Sequence, residues 1–145
     1  MRIELVKGVN LNIIPSKQFK TTRIFISFIK NIESKKELAE RALLANYLEM
    51  CSQNYPTQID IARKLSQMYG ASFGSSVDRR GNYQLINFSI DYIESKYLVG
   101  NEDLLSEVIE FLKEIIFNPL KVGGGKIKTL MKKLLPDRKT ILLHI

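Results

Sequence analysis

The chain opens with apolar and polar residues in alternation, which is the pattern of β-strands. Two short runs of this kind flank residues 7–8, where Lys-Gly suits a turn. Residues 21–29 follow as a longer run that is β-branched or aromatic at most positions, typical of a strand covered on both faces. The apolar positions of the first two strands are Ile3, Leu5, Val9, Leu11 and Ile13.

Three later segments carry the signals of helices. A Ser-x-x-Glu capping box at residues 34–37 begins the first, which we expect to run to about Cys51. Thr57 is placed to cap a second helix, and Gly70 is placed to end it. The third helix is predicted within residues 101–119, with acidic residues at its start and Asn-Pro at its end.

Between the second and third helices the pattern returns to strands. Residues 71–77 and 83–92 predict a hairpin, because Gly81 and Asn82 tolerate the positive φ of a tight turn. The element order is therefore β-β-β-α-α-β-β-α, which predicts an α+β fold with helices packed on one face of a largely antiparallel sheet. The buried face of the second hairpin strand is predicted to comprise Ile86, Phe88, Ile90 and Tyr92.

The composition limits the number of domains, the cellular location and the reactive side chains that we expect. The 145 residues suffice for one domain, and 45% hydrophobic with 26% charged residues is typical of a globular protein. No apolar run is long enough to cross a bilayer, and the N-terminus lacks the apolar region of a signal peptide. We therefore expect a cytoplasmic protein without membrane association. Cys51 is the sole cysteine and is interpreted as a small buried hydrophobe; His144 is the sole histidine.

The net charge of +7 is concentrated at the C-terminus. Residues 121–145 contain seven basic residues and one acidic residue, whereas residues 1–120 are nearly balanced. We therefore divide the chain into a partial domain, 1–120, and a basic tail, 121–145, in which residues 126–135 have the periodicity of a short helix. The Gly-Gly-Gly-Lys run at 123–126 lacks the earlier glycine and following Ser or Thr of a phosphate loop.

The candidate chemistry lies on the first helix, at Asn46, Glu49 and Met50. These positions are spaced i, i+3 and i+4, so they share one helix face. Histidines at the first and last of them would grip Zn²⁺ while the glutamate activates a bound water. A neutral amide and a thioether do not replace imidazoles at a hydrolytic zinc site. We predict no catalytic residue, metal site or cofactor here.

The segment Leu-Ala-Asn-Tyr-Leu-Glu-Met at 44–50 resembles the His-x-x-Glu-His helix of pitrilysin/insulinase-type zinc peptidases. Residues 8–11, 21–24, 41–44 and 55–57, with 65–71, follow the order seen in non-peptidase insulinase-like proteins of Gram-positive bacteria. Those proteins are associated with modification of translation elongation factor P. The resemblance covers about residues 1–120 and implies the same α+β architecture.

The resemblance implies a catalytically inactive protein that serves as a subunit or substrate-binding partner of an active insulinase-like peptidase. Its relatives continue with an acidic helix and a second half, so we expect a truncated chain that self-associates or joins a zinc-competent relative. A peptide is the implied substrate. The alternative is a small basic protein that binds nucleic acid through its tail. That tail contains no aromatic residue, which disfavours specific recognition of nucleic acid.

Overall fold

The computed structural model describes residues 1–100, 102–121 and 139–144. Every helix and strand that the sequence predicts over residues 1–120 is present, together with a short 3-10 turn at Ser95–Tyr97 and one further strand. The elements are β1 (Arg2–Val6), β2 (Val9–Ile14), β3 (Thr21–Asn31), α1 (Lys35–Met50), α2 (Gln58–Gln67), β4 (Ser72–Arg80), β5 (Tyr83–Ile93), α3 (Leu104–Phe117) and β6 (Lys139–His144).

The described strands form one six-stranded sheet in the order β1-β2-β6-β3-β5-β4. Neighbours are antiparallel except for β2 and β6, which are parallel. The longest pairing joins β3 to β5 over their full lengths and places Ile24 opposite Ile90. The outermost strands are β1 at one end and β4 at the other.

The described helices cover one face of the β3-β5-β4 part of the sheet. Alternate residues of β3 and β5 point into the core, and apolar residues of α1, α2 and α3 meet them. Phe88 is fully buried and packs edge-on against Phe28, with 6.1 Å between ring centroids. The core comprises Ile24, Phe28, Leu44, Ala45, Leu48, Ile61, Met68, Ala71, Ile86, Phe88, Ile90, Tyr92, Leu104, Val108, Phe111, Leu112, Ile115 and Ile116.

Local signals set the ends of the elements as predicted, with one difference in α1. Thr57 and Asp60 form a complete capping box at α2, each side chain accepting from the other's backbone N–H. At α1, Ser34 accepts from the backbone N–H of Glu37, but the Glu37 carboxylate binds Arg41. The predicted box is therefore only half formed. No described helix is both long and apolar enough to cross a membrane.

The structure adds β6 within the basic tail, where the sequence pattern predicts no strand. Residues 139–144 pair with β2 on one side and with β3 on the other, so part of the tail lies inside the sheet. Six residues with an apolar run are a weak signal, and their partners are more than 100 positions away in the sequence. Residues 126–135, which have the periodicity of a short helix, lie outside the described residues.

Candidate functional site

The structure brings the three motif positions together on the exposed flank of α1. Asn46 is exposed, Met50 is 48% exposed and Glu49 is half-buried. The packed side of this helix comprises Arg41, Leu44, Ala45 and Leu48. Leu43, on the same flank of the helix, is 69% exposed.

Glu49, which the resemblance aligns with a catalytic glutamate, binds the neighbouring strand β4. Its Oε2 atom accepts a hydrogen bond from the backbone N–H of Ser75 at 3.1 Å. The same oxygen accepts from the Ser75 hydroxyl at 2.5 Å. A carboxylate held by two donors of this kind is a charge-assisted anchor. The chemical role of Glu49 in this chain is therefore to tie α1 to β4.

β4 presents one free backbone edge beside that contact, because it ends the described sheet. The Ser75 N–H reaches Glu49 and so points away from β5. Backbone groups of a strand alternate in direction, so the N–H groups of Phe73 and Val77 point the same way. The intervening side chains are small: Gly74 has only open space where a Cβ would lie, and Ser76 is exposed. We name this surface, Asn46, Glu49 and Met50 with residues 73–77, the α1–β4 edge.

A buried polar network on the opposite face holds β4 in place. Asn87 is 4% exposed and donates to Asp78 Oδ2 at 2.7 Å and to Ser76 Oγ at 3.2 Å. The Ser27 hydroxyl donates to Asn87 Oδ1 at 2.6 Å. The network links β3, β5 and β4, and so it holds the edge strand β4 in position. Sequence alternation assigned Asn87 to the less buried face and gave no sign that it would be enclosed.

Arg41 forms a second network that the sequence pattern did not reveal. It is 1% exposed, and its guanidinium donates to Glu37 Oε2 at 2.8 Å and to Gln84 Oε1 at 3.2 Å. It also donates to the backbone oxygen of Asn31 at 3.2 Å, and its Nε has no hydrogen-bond partner among the described residues. Buried arginine needs such partners because its charge cannot be neutralised. This network fixes the first turns of α1 against β3 and β5.

The remaining candidates are structural in their contacts. Cys51 is buried, as predicted, and its Sγ lies 3.7 Å from the Tyr47 backbone oxygen. Tyr47 donates from its hydroxyl to the Leu120 backbone oxygen at 3.1 Å. Burial, with added contributions from Cys51, raises the pKa of Tyr47 to about 12, so its phenol stays protonated at neutral pH.

No metal site is assembled by the described residues from three or more His, Cys, Asp or Glu side chains. The absence of bound zinc nonetheless remains a prediction that rests on the chemistry of Asn46 and Met50. Arg79 and Arg80, at the end of β4 beside the hairpin turn, are both exposed. Arg79 donates to the Gly81 backbone oxygen at 3.0 Å within that same turn.

Two clefts among the described residues lie away from the α1–β4 edge. One, of about 520 Å³, is lined by residues that include Thr22, Tyr92 and Lys96. The other, of about 490 Å³, lies between α2 and α3 beside the Lys64–Glu107 ion pair. Their charged side chains include pairs that neutralise one another, as at Glu94 and Lys96. Neither cleft contains a motif position.

The chain is similar to known proteins over most of its length. No protein-family model matches the chain. It is 25% identical, over 118 residues and 81% of its length, to the probable inactive metalloprotease YmfF of Bacillus subtilis. The chain is 36% identical in sequence to a conserved protein from Enterococcus faecalis V583, whose crystal structure matches 92% of this chain with a TM-score of 0.80. The periplasmic protease PqqL of Escherichia coli is 8% identical, with a TM-score of 0.67 over 99% of this chain.

The chain spans only 28% of the length of the Bacillus subtilis relative, and 32% and 22% of the two crystallised chains. The likeness to PqqL concerns the fold alone. It confirms the predicted fold class: an α+β, pitrilysin/insulinase-like domain with helices on one face of a largely antiparallel sheet.

Proposed function

We propose that this chain, an insulinase-like relative of a probable inactive metalloprotease, binds extended peptides along β4 without a metal and presents them to a zinc-bearing peptidase partner. The observation that carries the proposal is the contact between Glu49 and Ser75. It joins a helix that lacks its zinc ligands to the free edge of a strand. The helix has no histidines to hold a hydrolytic zinc, whereas the backbone groups at the edge of β4 are available to bind a peptide.

The residue types at the motif argue against catalysis. Hydrolytic zinc needs nitrogen or oxygen ligands such as histidine and carboxylate, and Asn46 and Met50 are poor substitutes. The Glu49 carboxylate instead accepts two hydrogen bonds from Ser75. The resemblance to a probable inactive metalloprotease supports the same conclusion.

The backbone edge of β4 favours peptide binding. An edge strand exposes a row of unpaired N–H and C=O groups, and an extended peptide satisfies them by adding one strand to the sheet. The small side chains of residues 74–76 leave that row accessible. Met50 lies exposed nearby and supplies an adaptable apolar surface. Backbone pairing would provide affinity with little dependence on peptide sequence.

Exposed apolar surface at the opposite end of the sheet favours a partner. On the edge strand β1, Ile3 is 39% exposed, Leu5 is 52% exposed and Val6 is 63% exposed. Grouped apolar exposure of this kind commonly marks an association surface. A zinc-bearing insulinase-like protein is the proposed partner, and self-association is the alternative arrangement. A cytoplasmic location remains part of the proposal.

Binding can be measured by fluorescence anisotropy with a labelled eight-residue peptide of alternating valine and threonine, in the presence of EDTA. Two control peptides carry N-methyl groups on alternate amides, one on each edge, so that each loses one set of backbone donors. We expect saturable binding of the parent peptide and weakened binding of one N-methylated peptide. Equal binding of all three peptides, or binding abolished by EDTA, would contradict metal-free strand addition.

A further inference from the structure

The contact between Glu49 and Ser75 has a consequence for any strand that approaches β4. A backbone N–H has one hydrogen to donate, and that of Ser75 is already given to the Glu49 carboxylate. The outward N–H groups of Phe73 and Val77 lie one pairing step to either side. An incoming peptide would therefore find donors at both flanks and an occupied donor in the middle.

We propose that Glu49 is an edge guard: its carboxylate limits the pairing of β4 with other strands until it is displaced from Ser75. The inference rests on the proposed peptide-binding function and assigns the guard to the same surface. In the guarded state Oε2 holds both donors of Ser75. In the open state the carboxylate turns toward solvent, and Ser75 pairs with the incoming backbone.

Physical chemistry supports both states. Two donors on one carboxylate oxygen make a strong local contact, so the contact between Glu49 and Ser75 competes with peptide binding. Glu49 is half-buried at the flank of α1, so its charge reaches water without crossing the core. Proteins block free sheet edges with charged residues because open edges pair indiscriminately. A guard that yields to a peptide would suppress pairing between copies of the chain while permitting capture.

The test compares the wild-type chain with Glu49→Ala and Glu49→Gln, using the same labelled valine–threonine peptide. Glu110→Ala is the matched control, because Glu110 lies on α3 with its side chain 71% exposed and loses the same charge far from β4. Removing the guard leaves Ser75 free to pair. We expect about tenfold tighter binding for Glu49→Ala, equivalent to about 1.4 kcal/mol. Glu49→Gln keeps a weaker neutral acceptor and should gain less, and Glu110→Ala should match the wild type.

Hydrogen exchange at the Ser75 amide provides the structural readout, and it should accelerate in Glu49→Ala but not in Glu110→Ala. If that amide accelerates while the affinity stays at the wild-type value, the guard is overturned and peptide binding stands. If no folded variant binds the peptide, both the guard and the proposed function fail. If Glu49→Ala does not fold, Glu49→Gln decides: affinity no higher than that of Glu110→Ala would overturn the guard.

Discussion

At the residue scale, the proposed lack of zinc chemistry rests on two side chains. Asn46 and Met50 sit one helical turn apart on the exposed flank of α1. Glu49 lies between them and binds Ser75 on β4. The helix therefore has the i, i+3, i+4 spacing that the zinc motif requires, and the proposed difference lies in the side chains.

Restoring the histidines should separate metal binding from catalysis. The double variant Asn46→His with Met50→His places two imidazoles at i and i+4, so it should bind zinc, whereas the wild-type chain purified without chelator should contain well below one zinc per chain. Hydrolysis of a quenched fluorescent peptide should stay at the level of the Asn46→His control. Neither chain gains a third protein ligand. Stoichiometric zinc in the wild type, or clear turnover by the double variant, would contradict this interpretation.

A second residue-scale prediction concerns alkaline pH. Burial raises the pKa of Tyr92 above its ordinary value of 10.0, while a hydrogen bond with Thr22 acts in the opposite direction. Because the pKa of Tyr92 is higher in the folded state, its contribution to stability is complete below the unfolded-state pKa. That contribution is lost as the pH rises from the unfolded-state pKa through the folded-state pKa. When urea unfolding is measured in buffers from pH 9 to pH 11, the midpoint should fall more for the wild type than for Tyr92→Phe. Parallel curves would refute this.

At the element scale, caps and turns explain why the helices and strands begin and end where they do. α2 has both halves of its capping box, and α1 has one half because Glu37 is drawn to Arg41. The hairpin between β4 and β5 turns at Gly81, whose φ of 58° lies in the left-handed region that glycine adopts freely.

The complete box makes α2 sensitive to its first residue. Thr57→Ala should lower the free energy of unfolding by about 1 kcal/mol, because the N–H of Asp60 loses its acceptor and the reciprocal bond is weakened. Ser66→Ala, an exposed change within α2, is the control and should alter stability by less than about 0.5 kcal/mol. Urea unfolding measures both. Equal effects would show that the box contributes nothing measurable.

The sequence predicted the elements that depend on neighbours in the chain and missed what depends on distant ones. Alternation in β5 correctly assigned Phe88 and Ile90 to the core. α1 has apolar residues around much of its circumference, so periodicity alone did not identify the side that packs. The burial of Arg41 and Asn87 needed partners on other strands, and these polar residues carried no local signal of enclosure.

The candidate site also has a part that the sequence could predict and a part that it could not. The motif positions Asn46, Glu49 and Met50 were identifiable from their spacing, because helix geometry makes i, i+3 and i+4 neighbours. The link to Ser75 was not, since it joins residues 26 positions apart through a contact between helix and strand. The free edge of β4 also depended on the strand order, which local alternation does not determine.

At the scale of the whole molecule, β6 connects the β1–β2 hairpin to the rest of the sheet, since it lies between β2 and β3. Removing residues 139–145 should therefore release β2 from pairing on that side. We expect faster hydrogen exchange in residues 9–14, with little change in β4 and β5, which pair with each other. Unchanged exchange in β2 would mean that β6 does not hold the hairpin.

The proposed partner is tested at this scale too. Co-expression with an insulinase-like protein that has an intact His-x-x-Glu-His motif should raise solubility and give a joint peak in gel filtration, because the exposed apolar residues Leu5 and Val6 would be covered. Replacing Leu5 and Val6 by serine should weaken that complex. A stable monomer that elutes apart from the relative, and hydrolyses no peptide with it, would count against the partner role.

Metal-free peptide binding at β4 is best examined by an NMR titration of the ¹⁵N-labelled chain with the valine–threonine peptide in the presence of EDTA. We predict that the largest amide shifts fall in β4, at Phe73, Ser75 and Val77, and extend to Glu49 on α1. We predict no comparable change at the opposite edge strand, β1. Saturable binding that shifts β1 or the clefts and leaves β4 unchanged would contradict peptide binding along β4.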